Sequence, residues 1–183
     1  MDKGAESYRR FLNGDESGLI EIIRDYKDGL IFYLNGFVGD VHTAEELAED
    51  TFLRLATKKP RDRKTSSFKT WLYTIGRHIA VDWLRRKRPL TVPLDTCPSL
   101  ADERDLEITY LREERKIQLH RAMRRLHASY RQVLWLVYFE GLTHKEIAAI
   151  MHKRVGTVET LAYRARAALK EQLRKDGFVY EEL

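Results

Sequence analysis

"GLTHKEIAAIMHKRVGTVETLAYRARAAL", residues 141–169, decides the fold. Thr143-His-Lys-Glu146 is a capping box: the Thr oxygen accepts from a free backbone N–H at a helix start, and the Glu reaches back to the cap. Ile147, Ala148, Ile150 and Met151 then supply the apolar side of a short helix. A tight turn, His152 to Arg154, separates it from a long helix that runs from about Val155 to Lys175. In that helix Val158, Ala162, Ala165 and Leu169 recur at spacings of three and four and face inward. A capped helix, a tight turn and a second braced helix make a helix-turn-helix, which presents its second helix to a DNA major groove. Helix pairs of this kind also serve protein contacts, so the neighbouring sequence has to decide.

Upstream, Ile117, Met123 and Leu126 mark one helix and Tyr130 to Phe139 a second, strongly apolar one, closed by a turn at Glu140-Gly141. A C-terminal helical domain therefore spans 113–183. The stretch 89–112, PLTVPLDTCPSLADERDLEITYLR, holds three of the four prolines, turns acidic, and shows no sustained helical period before about Leu106. It reads as a linker.

Residues 1–88 form an N-terminal domain that is also all-helical. Phe11, Leu19, Ile22, Ile23, Tyr26, Leu30 and Tyr33 fit one or two helices. Thr43-Ala-Glu-Glu46 reads as a second capping box. Ala44, Leu47, Ala48, Thr51, Phe52 and Leu55 follow as one apolar stripe, with Glu45, Glu46, Glu49, Asp50, Leu53 and Arg54 opposite. A basic loop, KKPRDRK at 58–64, precedes a helix that starts near Ser66 or Ser67. Phe68, Trp71, Leu72, Ile75 and Ile79 form its buried stripe, and it ends in the basic cluster RRKR at 85–88. Trp71 is in register with Phe68 and Ile75 and belongs to the core; Trp83 suits core and base stacking equally.

Composition narrows the function classes. The chain has 183 residues, 43% hydrophobic and 33% charged, with formal net charge +5 and pI about 9.3. That balance points to nucleic acid or an anionic surface. The charge is segregated: ten acids against two bases over 13–50, and eleven bases against two acids over 58–88. Two faces with different partners would produce such a pattern, as would two solvated helix faces. Cys97 is a lone cysteine, which excludes an internal disulfide or a Cys-based zinc site and fits a reducing cytosol. The N-terminus lacks the apolar core of a signal peptide. The longest apolar run is VLWLVYF at 133–139, whereas a membrane span needs about 20 such residues. The expectation is a cytoplasmic protein with no membrane insertion, no metal and no cofactor.

The motifs now converge. GLTHKEIAAIMHKRVGTVETLAYRARAAL, extended upstream by YRQVLWLVYFEGLTHKEIA, resembles the promoter-reading domain of bacterial sigma-70 family sigma factors of the extracytoplasmic-function (ECF) class. TAEELAEDTFLRLA resembles that family's core-polymerase-binding helix, and SSFKTWLYTIGRHIAVDWLRRKR its helix for the −10 element. The resemblance covers roughly residues 8–175, in the family's order. It implies an all-α fold of two small helical domains joined by a linker, the first sigma region 2-like and the second a helix-turn-helix of the winged-helix-like, sigma region 4 type. It also implies a non-catalytic role: binding bacterial core RNA polymerase through clamp coiled coil and flap, recognising promoter DNA, and melting it. An anti-sigma factor would hold the protein inactive.

Residue by residue, the resemblance places Glu45, Glu49, Asp50, Leu53 and Arg54 against polymerase; an exposed Leu53 among charges suits a partner better than bare solvent. For the −10 element it points to Arg61, Arg63, Lys64, Lys69, Tyr73, Arg77, His78, Arg85, Arg86 and Arg88, because a melted strand needs positive charge and surfaces on which flipped bases rest. Family members often carry Asn where this chain has His78. For the −35 element it points to Thr143, Lys153, Arg154, Thr157, Glu159, Thr160, Tyr163, Arg164 and Arg166. The family's recognition helix commonly begins V-G-T-V-K-S-R-L-x-R-A-R. Here Glu159, Thr160, Leu161 and Ala162 depart from that pattern, losing two basic positions, and His152 stands where the turn glycine is usual. A carboxylate can accept from a cytosine amino group, so the expectation is a DNA reader with an altered −35 preference. A linker of about 24 residues reaches roughly 80 Å when extended, enough for two elements a helical turn or two apart, roughly 35–70 Å. Tethering two weak contacts raises avidity.

Two other classes stay open at this point. A stand-alone helix-turn-helix regulator would bind DNA without polymerase, and would leave the acidic helix and the basic Trp-containing helix without a purpose. A nuclease would need a metal cluster or a nucleophile–base arrangement, and none stands out.

Overall fold

The computed structural model describes residues 2–60, 66–87 and 114–177. Every regular element among them is helical. Arg61, Arg63, Lys64 and Arg88, and the linker reading of 89–112 with Cys97, lie outside the described residues.

Local chemistry sets the helix boundaries. Asp2 caps helix α1 (Lys3–Leu12) by accepting from the Ala5 N–H, and its second oxygen accepts from the Phe68 N–H at 2.6 Å. One carboxylate thus serves the starts of α1 and α4. Gly18 sits where α1 and α2 (Ser17–Val38) touch; a Cβ there would collide with the Ser7 carbonyl oxygen. Helix α2 stops at Gly39, whose φ of 71° is left-handed backbone that suits glycine. Asp40 immediately caps α3 (Val41–Lys58), accepting from the Thr43 N–H at 2.8 Å and the Thr43 hydroxyl at 2.6 Å. These bonds hold the Asp40 carboxyl below its ordinary pKa. The helix therefore begins two residues before the expected Thr43 cap. Thr43 is a donor to the cap, because a carboxylate directly after a left-handed glycine is the better placed acceptor.

The inward stripe of α3 is Ala44, Leu47, Ala48, Thr51, Phe52 and Leu55, as its spacing predicts. It packs with α2 on Leu30, Tyr33 and Leu34 and with α4 (Phe68–Lys87) on Phe68, Leu72 and Ile79. Burying each such Leu, Ile or Phe contributes roughly 1.5–3 kcal/mol. Helix α4 is buried on two sides rather than one. Trp71 and Ile75 are half-buried, Trp71 against Tyr8 (5.2 Å) and Phe68 (5.6 Å). Thr70, Tyr73, Gly76, Ala80 and Leu84 form a second buried row. Trp83 is half-buried under the Lys87 ammonium, 4.4 Å above its ring.

The C-terminal helices are α5 (Glu114–Arg124), α6 (Ala128–Leu134) continued by a π-helical turn (Trp135–Phe139), α7 (His144–Met151) and α8 (Val155–Lys175). The capping box of α7 forms: the Thr143 hydroxyl accepts from the Glu146 N–H, and Glu146 accepts from the Thr143 N–H at 3.0 Å. His152 takes the left-handed C-cap conformation with φ 52°, the backbone that explains why glycine is usual there. Val158, Ala162 and Ala165 of α8 are buried, Leu169 half-buried.

Both helix sets share an interface. Helix α7 packs on α4, and α6 with the π turn packs on α2. Trp135 stacks between Phe32 (4.8 Å) and Phe139 (4.3 Å). Arg131 donates to the Gly36 carbonyl at 3.2 Å. Ser67 and Thr70 donate to Glu146 Oε1 at 3.1 and 3.3 Å. The Lys69 ammonium meets the Glu140 carboxylate at 2.9 Å.

Candidate polymerase and nucleic-acid interfaces

Three surfaces carry the candidate residues. The first is the outward side of α3. Glu45, Glu49, Asp50, Leu53 and Arg54 are all exposed, side by side, because the opposite stripe is wholly committed to the core. Leu53 is 58% exposed. An apolar side chain held in water between carboxylates and a guanidinium loses nothing by docking, and the charges around it can select a basic partner.

The second surface belongs to α4. Arg85 and Arg86 are exposed at its end, where Arg85 lies 3.8 Å from Asp82 and the Arg86 Nε donates to the Asp82 carbonyl. Arg77 is half-buried, its Nε inaccessible. Tyr73 corrects the reading from sequence: it is 0% exposed and offers no surface to a base. Its ring packs 5.2 Å from Tyr33, and its hydroxyl leaves no room for a Cβ on Gly29. Burial pushes the Tyr73 phenol well up, and the neighbouring Glu140 carboxylate pushes it further. The spacing of Phe68, Trp71, Leu72, Ile75 and Ile79 marks one stripe of α4 and leaves Tyr73 off it; the second buried row, Thr70, Tyr73, Gly76 and Ala80, mixes size and polarity. Lys69 and His78 do lie at the surface of α4, yet both are engaged by the C-terminal helices: Lys69 by Glu140, and His78 by His152 with Nε2 atoms 2.9 Å apart and rings stacked at 5.0 Å. Burial lowers the His78 pKa, and His152, Arg77 and Arg54 lower it further against an opposing pull from Asp82.

The third surface is the helix-turn-helix. Lys153, Arg154, Thr157, Glu159, Thr160, Tyr163, Arg164 and Arg166 are all exposed along the turn and α8, Tyr163 by 68%. Lys153, Thr157, Thr160 and Arg164 share an open hollow of about 720 Å³ with Ser129 and Tyr130. Thr160 bonds back to the Gly156 carbonyl at 2.9 Å, which turns its hydroxyl toward its own helix. Glu159 stands 4.0 Å from the His144 ring, at the edge of the same face. Thr143 is exposed, with its hydroxyl committed to the capping box.

Sequence reasoning missed Glu140 and the second role of Glu146. Glu140 reads as a turn residue, but its side chain is only 10% exposed, where it takes the Lys69 ammonium and the Trp135 indole N–H at 3.1 Å. Burial pushes the Glu146 carboxyl up; bonds from Thr143, Ser67 and Thr70 outweigh it and keep the group below its ordinary value. No signal in the sequence marks either contact, because each depends on how two distant helices meet. Among the described residues no group of three His, Cys, Asp or Glu side chains is arranged to hold a metal ion, and no helix is long and apolar enough to cross a membrane.

Residues 22–89 match the family Sigma-70 region 2, and residues 116–169 match Sigma-70, region 4. The chain is 30% identical over 171 residues to the ECF RNA polymerase sigma factor SigW of Bacillus subtilis, covering 88% of this chain and 91% of that one. It is 29% identical over 183 residues to the RNA polymerase sigma-H factor of Pseudomonas aeruginosa, covering 94% and 95%. Among solved structures, the fold is similar to CnrH in complex with the cytosolic domain of CnrY (TM-score 0.63, 20% identity, 96% of this chain and 98% of that one). It is similar also to the sigma factor RpoE of Bartonella quintana in complex with the anti-sigma factor NepR (TM-score 0.62, 22% identity, 84% and 95%). The chain belongs to the sigma-70 family of RNA polymerase sigma factors, in its ECF class.

Proposed function

We propose that this protein is a cytoplasmic, non-catalytic initiation subunit: it binds bacterial core RNA polymerase, reads −35 and −10 promoter elements, and promotes melting at the −10 element. The observation that carries the reading is that one chain presents two unlike surfaces. The acidic α3 face with exposed Leu53 suits a protein partner, and the basic turn and α8 suit a DNA groove. A stand-alone regulator needs only the second. In this reading residues 1–88 dock on the polymerase clamp through Glu45, Glu49, Asp50, Leu53 and Arg54. The same domain meets the −10 element with Arg61, Arg63, Lys64, Lys69, Arg77, His78, Arg85, Arg86 and Arg88. Residues 89–112 link it to 113–183, whose turn and α8 meet the −35 element. Glu159 gives that element a preference of its own, and an anti-sigma factor covers these surfaces when the protein is held inactive.

Reconstitution tests it. The purified protein is mixed with bacterial core polymerase and a library of random upstream DNA, and run-off transcripts are sequenced. Protein-dependent transcripts sharing two spaced upstream elements are expected. DNA binding without any transcript would move the assignment to a stand-alone regulator.

A further inference from the structure

The C-terminal helices sit on the same side of α4 that holds its −10 candidates. Lys69 is neutralised by Glu140, Ser67 and Thr70 are tied to Glu146, and His78 is stacked on His152. In this arrangement polar groups in the first turn and the middle of α4 are engaged by the C-terminal helices. The Glu146 carboxylate, which Ser67 and Thr70 reach, is held below its ordinary value by its donors and stays ionised near neutrality. The histidine pair is different.

We propose that His78 and His152 form a protonation-sensitive latch that holds the C-terminal domain over the −10 face and releases it when the pH falls. That the covered face is a DNA surface rests on the promoter-reading role proposed above; the latch itself does not. Two neutral imidazoles 2.9 Å apart share one hydrogen bond, one Nε2–H donating to the other bare Nε2. A single proton leaves one donor facing one acceptor. A second proton leaves two donors facing each other, with no acceptor and two like charges. The surroundings add to the penalty. Arg77 on α4 and Arg54 on α3 face His78, and Lys153 and Arg154 follow His152 in the chain; Asp82 on α4 is the opposing carboxylate. The closed form thus binds a proton at His78 less readily than the open form, in which that imidazole is solvated. The sign follows: closure gains as pH rises and loses as pH falls through the ordinary histidine value, and the loss is complete once pH is below the lowered value of His78 in the closed form.

The test uses the full chain and no polymerase, so it stands apart from the transcription experiment: absence of transcripts would leave it intact, and its failure would leave the sigma assignment intact. Small-angle scattering is recorded from pH 8 to pH 5.5 in the presence of EDTA, with circular dichroism to confirm that helix content holds. At pH 8 a compact chain of this length has a radius of gyration of about 16 Å. The expected result is a rise of several ångström centred at or below about pH 6.5, the ordinary histidine value. The double variant His78→Gln, His152→Asn removes both titrating rings, and asparagine tolerates the left-handed backbone at 152. It is expected to lose the pH step. A wild-type radius constant across the range, or an equal step in the double variant, overturns the latch. So does an expanded chain at pH 8 that closes when EDTA is replaced by zinc, since the two rings would then be bridged by a metal rather than by a proton.

Discussion

The Lys69 ammonium stands 2.9 Å from the Glu140 carboxylate and 3.2 Å from its carbonyl oxygen, and so joins the first turn of α4 to the end of the π turn. The carboxylate is the more enclosed partner, and it also receives the Trp135 indole N–H. Glu140→Gln keeps an acceptor for the indole and removes the charge. Lys69 can then return to solvent. The pair is part-exposed, so its loss weakens closure by about 1 kcal/mol, roughly fivefold. Fluorescence anisotropy of the free protein on a single-stranded non-template −10 oligonucleotide should show an affinity gain of that order. An unchanged affinity would mean that Lys69 is not withheld from DNA by this ion pair.

The contrast between α3 and α4 shows what the sequence made legible. Helix α3 buries one stripe and leaves one face to water, so spacing alone separates Leu47 and Phe52 from Glu49 and Leu53. Its start lies three residues before the one the Thr43 box predicts, because two good cap residues, Asp40 and Thr43, lie within reach and only the backbone at Gly39 decides between them. Helix α4 is covered on two sides, and a second buried row of mixed size and polarity has no clean period. Tyr73 was misread for that reason. The helix-turn-helix was legible in full, since its capping box, its turn and its inward Val158, Ala162 and Ala165 are local. Pairings such as His78 with His152 were not, because they span 74 residues and depend on packing between elements that carry no mutual sequence signal.

Tyr33 offers a test of the core. Its ring is wholly buried, it packs 5.3 Å from Phe37 and 5.2 Å from Tyr73, and its hydroxyl meets no hydrogen-bond partner. Burial pushes the phenol far up, so it stays protonated at any working pH. An unsatisfied buried hydroxyl costs about 1–3 kcal/mol. Tyr33→Phe is therefore expected to leave stability unchanged or raise it by about 1 kcal/mol, read as a urea midpoint at constant slope. A decrease of that size would show that the hydroxyl is bonded in solution.

On α3, Glu49→Lys with Asp50→Lys reverses two exposed charges, and Leu53→Ala removes the exposed apolar group. None of the three touches the core, so melting temperatures should stay within about 0.5 kcal/mol equivalent of the parent. Affinity for core polymerase should fall at least tenfold for the charge pair. Leu53→Ala should cost about 1–2 kcal/mol, the scale of an interface anchor. Competition against a labelled sigma factor measures both. Unchanged affinity in all variants would move the polymerase-binding surface off this face.

Along α8, Arg164, Arg166 and Glu159 are all exposed. Replacing both arginines by Ala should weaken promoter binding by the holoenzyme. It should also lower the slope of log K against log salt by roughly 0.9 for every phosphate that an arginine neutralises. An unchanged slope would mean that they face solvent. Glu159→Ala should act differently. A carboxylate that accepts from a cytosine amino group contributes about 1–3 kcal/mol of discrimination at one base pair. Its removal should relax the preference at a single −35 position and raise, not lower, affinity for unrelated DNA, because a negative charge leaves the interface. Selection from randomised −35 sequences separates the outcomes: one relaxed position with the rest intact assigns the base to Glu159, whereas an unchanged profile means that the helix reads DNA without it.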